Sequence, residues 1–252
     1  MADPTTSLEV SPELNPALDP SRLADAFRAR GRLHIPNVLT KVSAERIYRC
    51  LTQETAWSLT FNKGSDFCDL DNVSQAERSK LVLAAWQRAP NGFQYFFDNH
   101  RLSRDGETYR DPSHYYAKVF AFLNSGTVLS LMRSVTGLPA IEWADAQATL
   151  YRPGDFLTVH NDEIGGHRRL AAYVLHFTPH WRPDWGGVLQ FHGEDRHIEE
   201  GHVPAFNALS IFRVPMLHSV SQVALYGGLR YSITGWFHAA QVEANHPPER
   251  GG

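Results

Sequence analysis

Tyr151-Arg152-Pro153-Gly154-Asp155-Phe156-Leu157-Thr158-Val159-His160-Asn161-Asp162 is the stretch on which the fold turns. Its first half is turn chemistry: Pro153 fixes its own backbone torsion and Gly154 relaxes the next, so the chain reverses direction here. Its second half, residues 157–160, reads as a short strand that leaves His160 where it enters a loop. Asp162 follows two residues on. In extended chain, residues i and i+2 project from the same face, so an imidazole and a carboxylate come to lie side by side.

Short β-rich runs punctuated by Gly and Pro surround this stretch, at residues 148–152, 157–160, 170–177, 188–192, 209–213, 219–223 and 231–237. Several short strands at such spacing predict an all-β sandwich or barrel. Before Pro139 the texture differs. A helix is expected from Ser21 to Gly31, with Leu23, Ala26 and Phe27 on one face, then a short strand at 32–39 and a second helix at 43–52. Residues 57–61 alternate like a strand. A helix over 73–87 turns Gln75, Glu77, Arg78 and Lys80 to water. Two more helices, at 113–123 and 127–137, repeat Tyr116, Val119, Phe120 and Phe122, then Leu129, Leu131, Met132 and Val135, at core spacing. The expected organisation is a loose arm (1–19) with Pro4, Pro12 and Pro16, a mainly helical support (20–139), a β core (140–240) and a tail (241–252). Residues 20–240 are expected to fold as one unit.

The 252 residues are 42% hydrophobic and carry a formal charge of −3, enough for a packed core and without a basic stripe for nucleic acid. Cys50 and Cys68 are too few for a disulfide framework, and Cys50, in a helix-like run, is expected to be a buried thiol. No apolar run reaches bilayer length and residues 1–20 lack the pattern of a secretory leader, so a cytoplasmic protein without a membrane partner is expected. Oligomeric state is not legible.

A His-x-Asp pair with a later histidine provides two imidazoles and one carboxylate on one face of an octahedron. This is the facial triad of non-haem Fe(II) oxygenases, and it leaves three coordination positions open. The dipeptide alone discriminates poorly. With 13 histidines and 27 acidic residues, chance provides roughly one such pair, and the chain has three: His160/Asp162, His192/Glu194 and His197/Glu199. The first follows a turn-forming run and is followed much later by His218 and then by Arg230 on a β-run; His192 and His197, which could pair only with His202, His218, His238 or His246, are expected at the surface, and His176, His180, His202 and His238 have no comparable context. A buried carboxylate on a ligand is costly unless paired, and an arginine fork meets one with two bonds. Ser232 and Thr234 share the face of Arg230, and Tyr151 stands across the expected pocket, so all three can add hydroxyls.

At Tyr151-x-Pro153-Gly154-Asp155, His160-x-Asp162, Trp185-Gly186-Gly187-Val188-Leu189, His218 and Arg230-x-Ser232 through Gly235-Trp236-Phe237-His238, the chain resembles the prolyl-4-hydroxylase-like 2-oxoglutarate/Fe(II) dioxygenases. The nearest likeness is to the ribosomal-protein prolyl hydroxylases and their bacterial relatives, over residues 140–238. The resemblance implies a mainly β fold, a double-stranded β-helix (jelly roll) with flanking helices. It implies Fe(II) on His160, Asp162 and His218, with 2-oxoglutarate held by Arg230, Tyr151, and Ser232 or Thr234, and Leu189 lining its pocket. Where many relatives carry a second cosubstrate tyrosine, this chain has His176, with Tyr173 nearby. Related halogenases replace the triad carboxylate, so Asp162 points to hydroxylation. The expected reaction consumes O2 and 2-oxoglutarate, with ascorbate as a supporting reductant, releases succinate and CO2, and hydroxylates a prolyl or other peptide-borne side chain. The same chemistry on free proline or another metabolite, and a non-redox cupin-like binding module, are the competing expectations. Loops at 61–73 and 91–111, with Phe67, Phe93, Tyr95, Phe96, Phe97, Arg101, Arg104 and Arg110, are candidates for a lid.

Overall fold

A computed structural model describes residues 10–103, 109–163 and 169–240. The first part of the arm (1–9), Arg104 of the expected lid and the tail (241–252) lie outside the described residues. The remainder of the arm is pinned: Asn15 donates its backbone N–H to Val38, and Leu14 bridges to Leu39.

Helix α1 (Pro20–Arg30) begins where the Asp19 carboxylate accepts from the backbone N–H of Ser21 and Arg22, and ends at Gly31 in the left-handed region. Strand β1 (Arg32–Pro36), helix α2 (Lys41–Arg49), strands β2 (Ser58–Lys63) and β3 (Asp66–Asp71), helix α3 (Gln75–Arg88) and strand β4 (Tyr95–Arg101) follow. Helices α4 (Tyr115–Leu123) and α5 (Gly126–Thr136) lead into strands β5 (Trp143–Ala144), β6 (Gln147–Tyr151), β7 (Phe156–His160), β8 (Arg169–Phe177), β9 (Leu189–His192), β10 (Ile198–His202), β11 (Phe206–Arg213), β12 (His218–Val220) and β13 (Arg230–His238).

Two antiparallel faces make the jelly roll, β6-β13-β8-β11 and β7-β12-β9-β10. Between them lies an apolar cluster that includes Tyr95, Tyr151, Val174, Leu189, Phe191, Phe212 and Val220. A larger core, with Phe27, Ile47, Tyr116, Met132, Leu175 and Ile233, joins the helices to the outer face of the first sheet. Cys50 is buried in that core, as expected.

The first half is less purely helical than its sequence suggests. Strand β1 pairs with β11, and β4 pairs with both β6 and β7, so the sheet crosses residue 139. Two of its strands lie in stretches read as lid loops. Tyr95, Phe96 and Phe97 are buried on both faces of β4, which removes the polar alternation by which a strand is recognised. Strand β3 is mostly exposed and, among the described residues, pairs only with β2, so burial leaves no pattern in its sequence. Arg78 also departs from expectation: it turns inward from α3 to meet Asp98 and Asp155.

Candidate active site

Strand pairing assembles the triad. His218 on β12 lies directly opposite His160 at the end of β7, and their ring centroids are 4.1 Å apart. Asp162 has φ +63°, a left-handed conformation that Asp tolerates better than most residues and that brings its carboxylate back over both rings. Its oxygens lie 3.2 Å from His160 Nε2 and 3.4 Å from His218 Nε2. One atom from each side chain falls within 4.8 Å of the others, so the three could hold a single ion.

The imidazoles are set for that task. His160 Nδ1 lies 2.9 Å from the Thr158 carbonyl and His218 Nδ1 2.7 Å from that of Met216. A carbonyl only accepts, so Nδ1 carries the hydrogen on each ring and Nε2 presents its lone pair inward. Burial, aided by the neighbouring His160, lowers the His218 pKa to about 4, so the ring is neutral. Burial opposes charge on Asp162, yet the proximity of His160 and His218 holds its carboxyl down at about 2. Two neutral nitrogens and one anionic oxygen suit a divalent transition metal. Arg169 steadies the turn, donating to the Asp162 carbonyl while its guanidinium lies 3.6 Å over the Trp236 ring.

The barrel interior continues from the triad to Arg230. That side chain is 1% exposed and makes no ion pair among the described residues; its Nε has no hydrogen-bond partner. Its Nη1 donates at 3.5 Å to Ser232 Oγ, which is itself 2.8 Å from Thr149 Oγ1. Tyr151, paired with Arg230 across β6 and β13, lies beneath the guanidinium at 4.8 Å. The Trp-Gly-Gly run has a steric reason here. A side-chain carbon on Gly186 would fall 2.0 Å from the Gln222 carbonyl, and one on Gly187 3.3 Å from Arg230 Cδ. Both glycines also have positive φ. A buried cation with an orphaned donor and glycine backbone against its stem fits a bound carboxylate.

Ser232 thus positions the arginine, and Thr234 shares its face at a half-buried position. Leu189 lies in the interior cluster with Tyr151. His176, fully buried, pairs across strands with Ser232, and its Nδ1 has no partner. Tyr173 points the other way, into the helix-side core, and donates to the Asp145 carbonyl. His192 contacts Ser219 and His197 is exposed.

The sequence reading missed a polar cluster behind His176. His34, His176 and His202 all converge on Ser210 Oγ, and His202 reaches Glu200. Strand parity was the available signal, because Ser210 shares the inward face of β11 with Phe212. Four residues so far apart in sequence form no motif. The expected lid is divided: Phe67 and Phe93 are 75% and 42% exposed, whereas Tyr95 and Phe97 are buried. Phe93 packs at 5.1 Å on the His160 ring.

Residues 146–238 match the family model of the 2OG-Fe(II) oxygenase superfamily, a class defined by Fe(II), 2-oxoglutarate and O2. The prolyl-4-hydroxylase-like resemblance read from the motifs is borne out by individual relatives. The chain is 32% identical over 131 residues to a prolyl 3-hydroxylase (OGFOD1) of Xenopus laevis, covering 47% of this chain and 25% of that protein. It therefore spans about a quarter of the length of the curated relatives it matches. Among solved structures, a Pseudomonas putida prolyl-4-hydroxylase superposes with a TM-score of 0.55 at 17% identity, over 88% of this chain and all of that one. A Trichoplax adhaerens prolyl hydroxylase in complex with a hypoxia-inducible-factor peptide gives 0.60 at 14%, over 87% and 89%. These likenesses show the jelly-roll fold. No helix among the described residues is long and apolar enough to cross a membrane.

Proposed function

We propose that this protein is a 2-oxoglutarate- and Fe(II)-dependent hydroxylase acting on a prolyl residue of a peptide or protein. The observation that carries the reading is Arg230, a buried cation without a carboxylate partner among the described residues, in the same interior as the His160/Asp162/His218 triad. A non-redox metal-binding module has no use for such an anchor. In this reading the triad residues hold the iron, Arg230 takes the distal carboxylate of 2-oxoglutarate, and Tyr151, Thr234 and His176 line the cosubstrate. Iron and 2-oxoglutarate held by these residues would supply the oxidising chemistry: one atom of O2 would enter a substrate C–H bond to give C–OH and the other would enter succinate, with CO2 released.

What the protein contributes is placement and exclusion of water. From the exposed rim, Phe67, Tyr95, Phe97 and Tyr151 form successive ring contacts of 6.4, 5.6 and 4.8 Å, ending under Arg230. Phe93 beside His160 and Phe67 beside Tyr95 provide apolar surface, where an extended peptide can lie across the metal side of the barrel. The similarity to prolyl hydroxylases supports a peptide-borne proline over free proline or another metabolite.

The test is succinate release from 2-oxoglutarate with Fe(II), ascorbate and proline-containing peptides, paired with mass detection of a 16 Da gain on peptide. Peptide-stimulated succinate that disappears in Asp162→Ala is the expected result. Failure of both readouts with peptides and with free proline overturns the oxygenase reading; turnover of free proline alone overturns the peptide assignment.

A further inference from the structure

The Ser210 cluster sets a proton count that bears on the cosubstrate. Ser210 Oγ lies 3.1 Å from His34 Nδ1, 2.9 Å from His176 Nε2 and 3.0 Å from His202 Nδ1. His202 Nε2 is 2.9 Å from Glu200 Oε1. A serine hydroxyl has one hydrogen to give and two lone pairs to receive, so it satisfies three such neighbours and no more. Glu200 is ionised: burial opposes its charge, but hydrogen bonds from Arg32 and His202 hold its pKa at about 2.

These partners admit one arrangement with all three rings neutral. His202 must donate from Nε2 to the Glu200 carboxylate, which leaves its Nδ1 bare to accept the Ser210 hydrogen. Ser210 then accepts from His34 Nδ1–H and from His176 Nε2–H. The last step strips the hydrogen from His176 Nδ1, the buried atom that has no partner. That bare nitrogen shares a face with Arg230, because His176 pairs with Ser232 and Ser232 lies two residues along β13 from Arg230.

A bare nitrogen repels a carboxylate. Nδ1 becomes a donor in two ways. Either His176 itself becomes a cation, or His202 does so beside Glu200, and the Ser210 hydrogen turns to His176 Nε2. Each route needs one extra proton. The surrounding charged and titratable groups are Arg230 on β13, Tyr151 on β6, Arg32 on β1 and Glu200 on β10; burial, Arg230, His34 and His202 all disfavour charge on His176.

We propose that His176, already placed beside the cosubstrate, engages the distal carboxylate of 2-oxoglutarate only when the buried cluster of His34, His176, His202 and Ser210 takes up one proton. The proposal rests on the assignment of Arg230 to that same carboxylate. It follows that cosubstrate affinity falls as pH rises, by tenfold per pH unit where the free cluster is neutral.

The experiment is calorimetric titration of 2-oxoglutarate into the Mn(II)-loaded full chain without oxygen, at pH 8, in two buffers of different ionisation enthalpy. Their difference counts protons taken up, with no turnover involved. About one proton per 2-oxoglutarate is expected for the natural sequence. In Ser210→Ala the constraint on His176 is gone, a neutral ring can carry its hydrogen on Nδ1, and uptake falls towards zero while binding persists. His176→Phe binds more weakly and also without uptake. Zero uptake by the natural sequence, or unchanged uptake in Ser210→Ala, overturns the proposal. If Arg230→Ala still weakens binding in those cases, the cosubstrate site stands and only the proton requirement falls; if Arg230→Ala binds normally, the site assignment itself fails.

Discussion

Arg78 and Arg230 both bring a guanidinium into the β-rich half of the molecule, and they are treated in opposite ways. Arg78 reaches in from α3 and forms two bonds with the Asp155 carboxylate, at 2.9 and 2.7 Å, and another with Asp98, which also receives Arg152. Every charge in that network has a partner, and the network ties α3 to β4 and to the turn before β7. Arg230 is more deeply buried, 1% exposed against 12% for the Arg78 side chain, and its best internal contact is one long bond to a serine. Desolvating a guanidinium without an anion is costly. The first arrangement is what a fold needs; the second is stable at full occupancy only when something else brings the anion.

The largest expected effect comes from breaking the closed network. Arg78→Ala leaves the Asp98 and Asp155 carboxylates buried with too few partners and is expected to lower stability by about 3–5 kcal/mol, the usual result of removing half of a buried pair. Urea unfolding monitored by tryptophan fluorescence measures it. Next in size is Arg230→Ala. It is expected to leave the unfolding midpoint unchanged or raise it, because it removes an unanswered charge. It weakens 2-oxoglutarate binding by roughly 30- to 1000-fold, the equivalent of about 2–4 kcal/mol for losing a buried charge-assisted pair. Equal stability losses in the two variants erase the distinction between them.

Much of this contrast was unreadable beforehand. The grouping of His160, Asp162 and His218 and the burial of Arg230 were legible because the chemistry proposed for them would demand particular residue types in a particular order, and the order survives in one dimension. Arg78 was assigned to the wet face of its helix, since periodicity reports which side a residue leaves from and not where a long side chain ends. Asp98 and Asp155 gave no warning, as their partners come from other elements. The strand β4 was hidden for a related reason: an aromatic run buried on both sides looks the same as a lid. The fold of the second half was clear from its turns, whereas its polar interior, from His34 to Ser210, depended on strand register that only pairing defines.

A titration sharpens the comparison from the closed side. Burial raises the Asp155 pKa to about 7 despite the Arg78 charge beside it. Unfolded, the group returns to an ordinary value near 3.8, so between the two the folded state holds the proton more tightly. Stability contributed by this group is therefore full at low pH and lost as pH rises from about 4 to about 7. Asp155→Asn has nothing to titrate there. The natural sequence is expected to lose stability relative to that variant across the window, by urea midpoints at each pH; parallel curves mean that Arg78 holds Asp155 ionised throughout.

The smallest expected effect probes how the open arginine is held. Ser232 Oγ lies between Arg230 Nη1 and Thr149 Oγ1, so it fixes the guanidinium through one 3.5 Å bond while being fixed itself at 2.8 Å. Ser232→Ala removes that link without removing the charge, and leaves Thr149 Oγ1 only its 3.5 Å bond to the residue-232 carbonyl. A single neutral hydrogen bond is worth about 1 kcal/mol, so 2-oxoglutarate binding is expected to weaken by about three- to tenfold, seen as a higher KM for 2-oxoglutarate with kcat nearly unchanged. Thr149→Ala leaves Ser232 in place and gives a smaller shift in the same direction. If Ser232 instead donates directly to the cosubstrate, Ser232→Thr keeps the hydroxyl and restores binding wherever its methyl fits, while Thr149→Ala has no effect. The response to Thr149, a residue one step removed from the arginine, therefore decides whether Arg230 is aimed by its neighbours or simply buried among them.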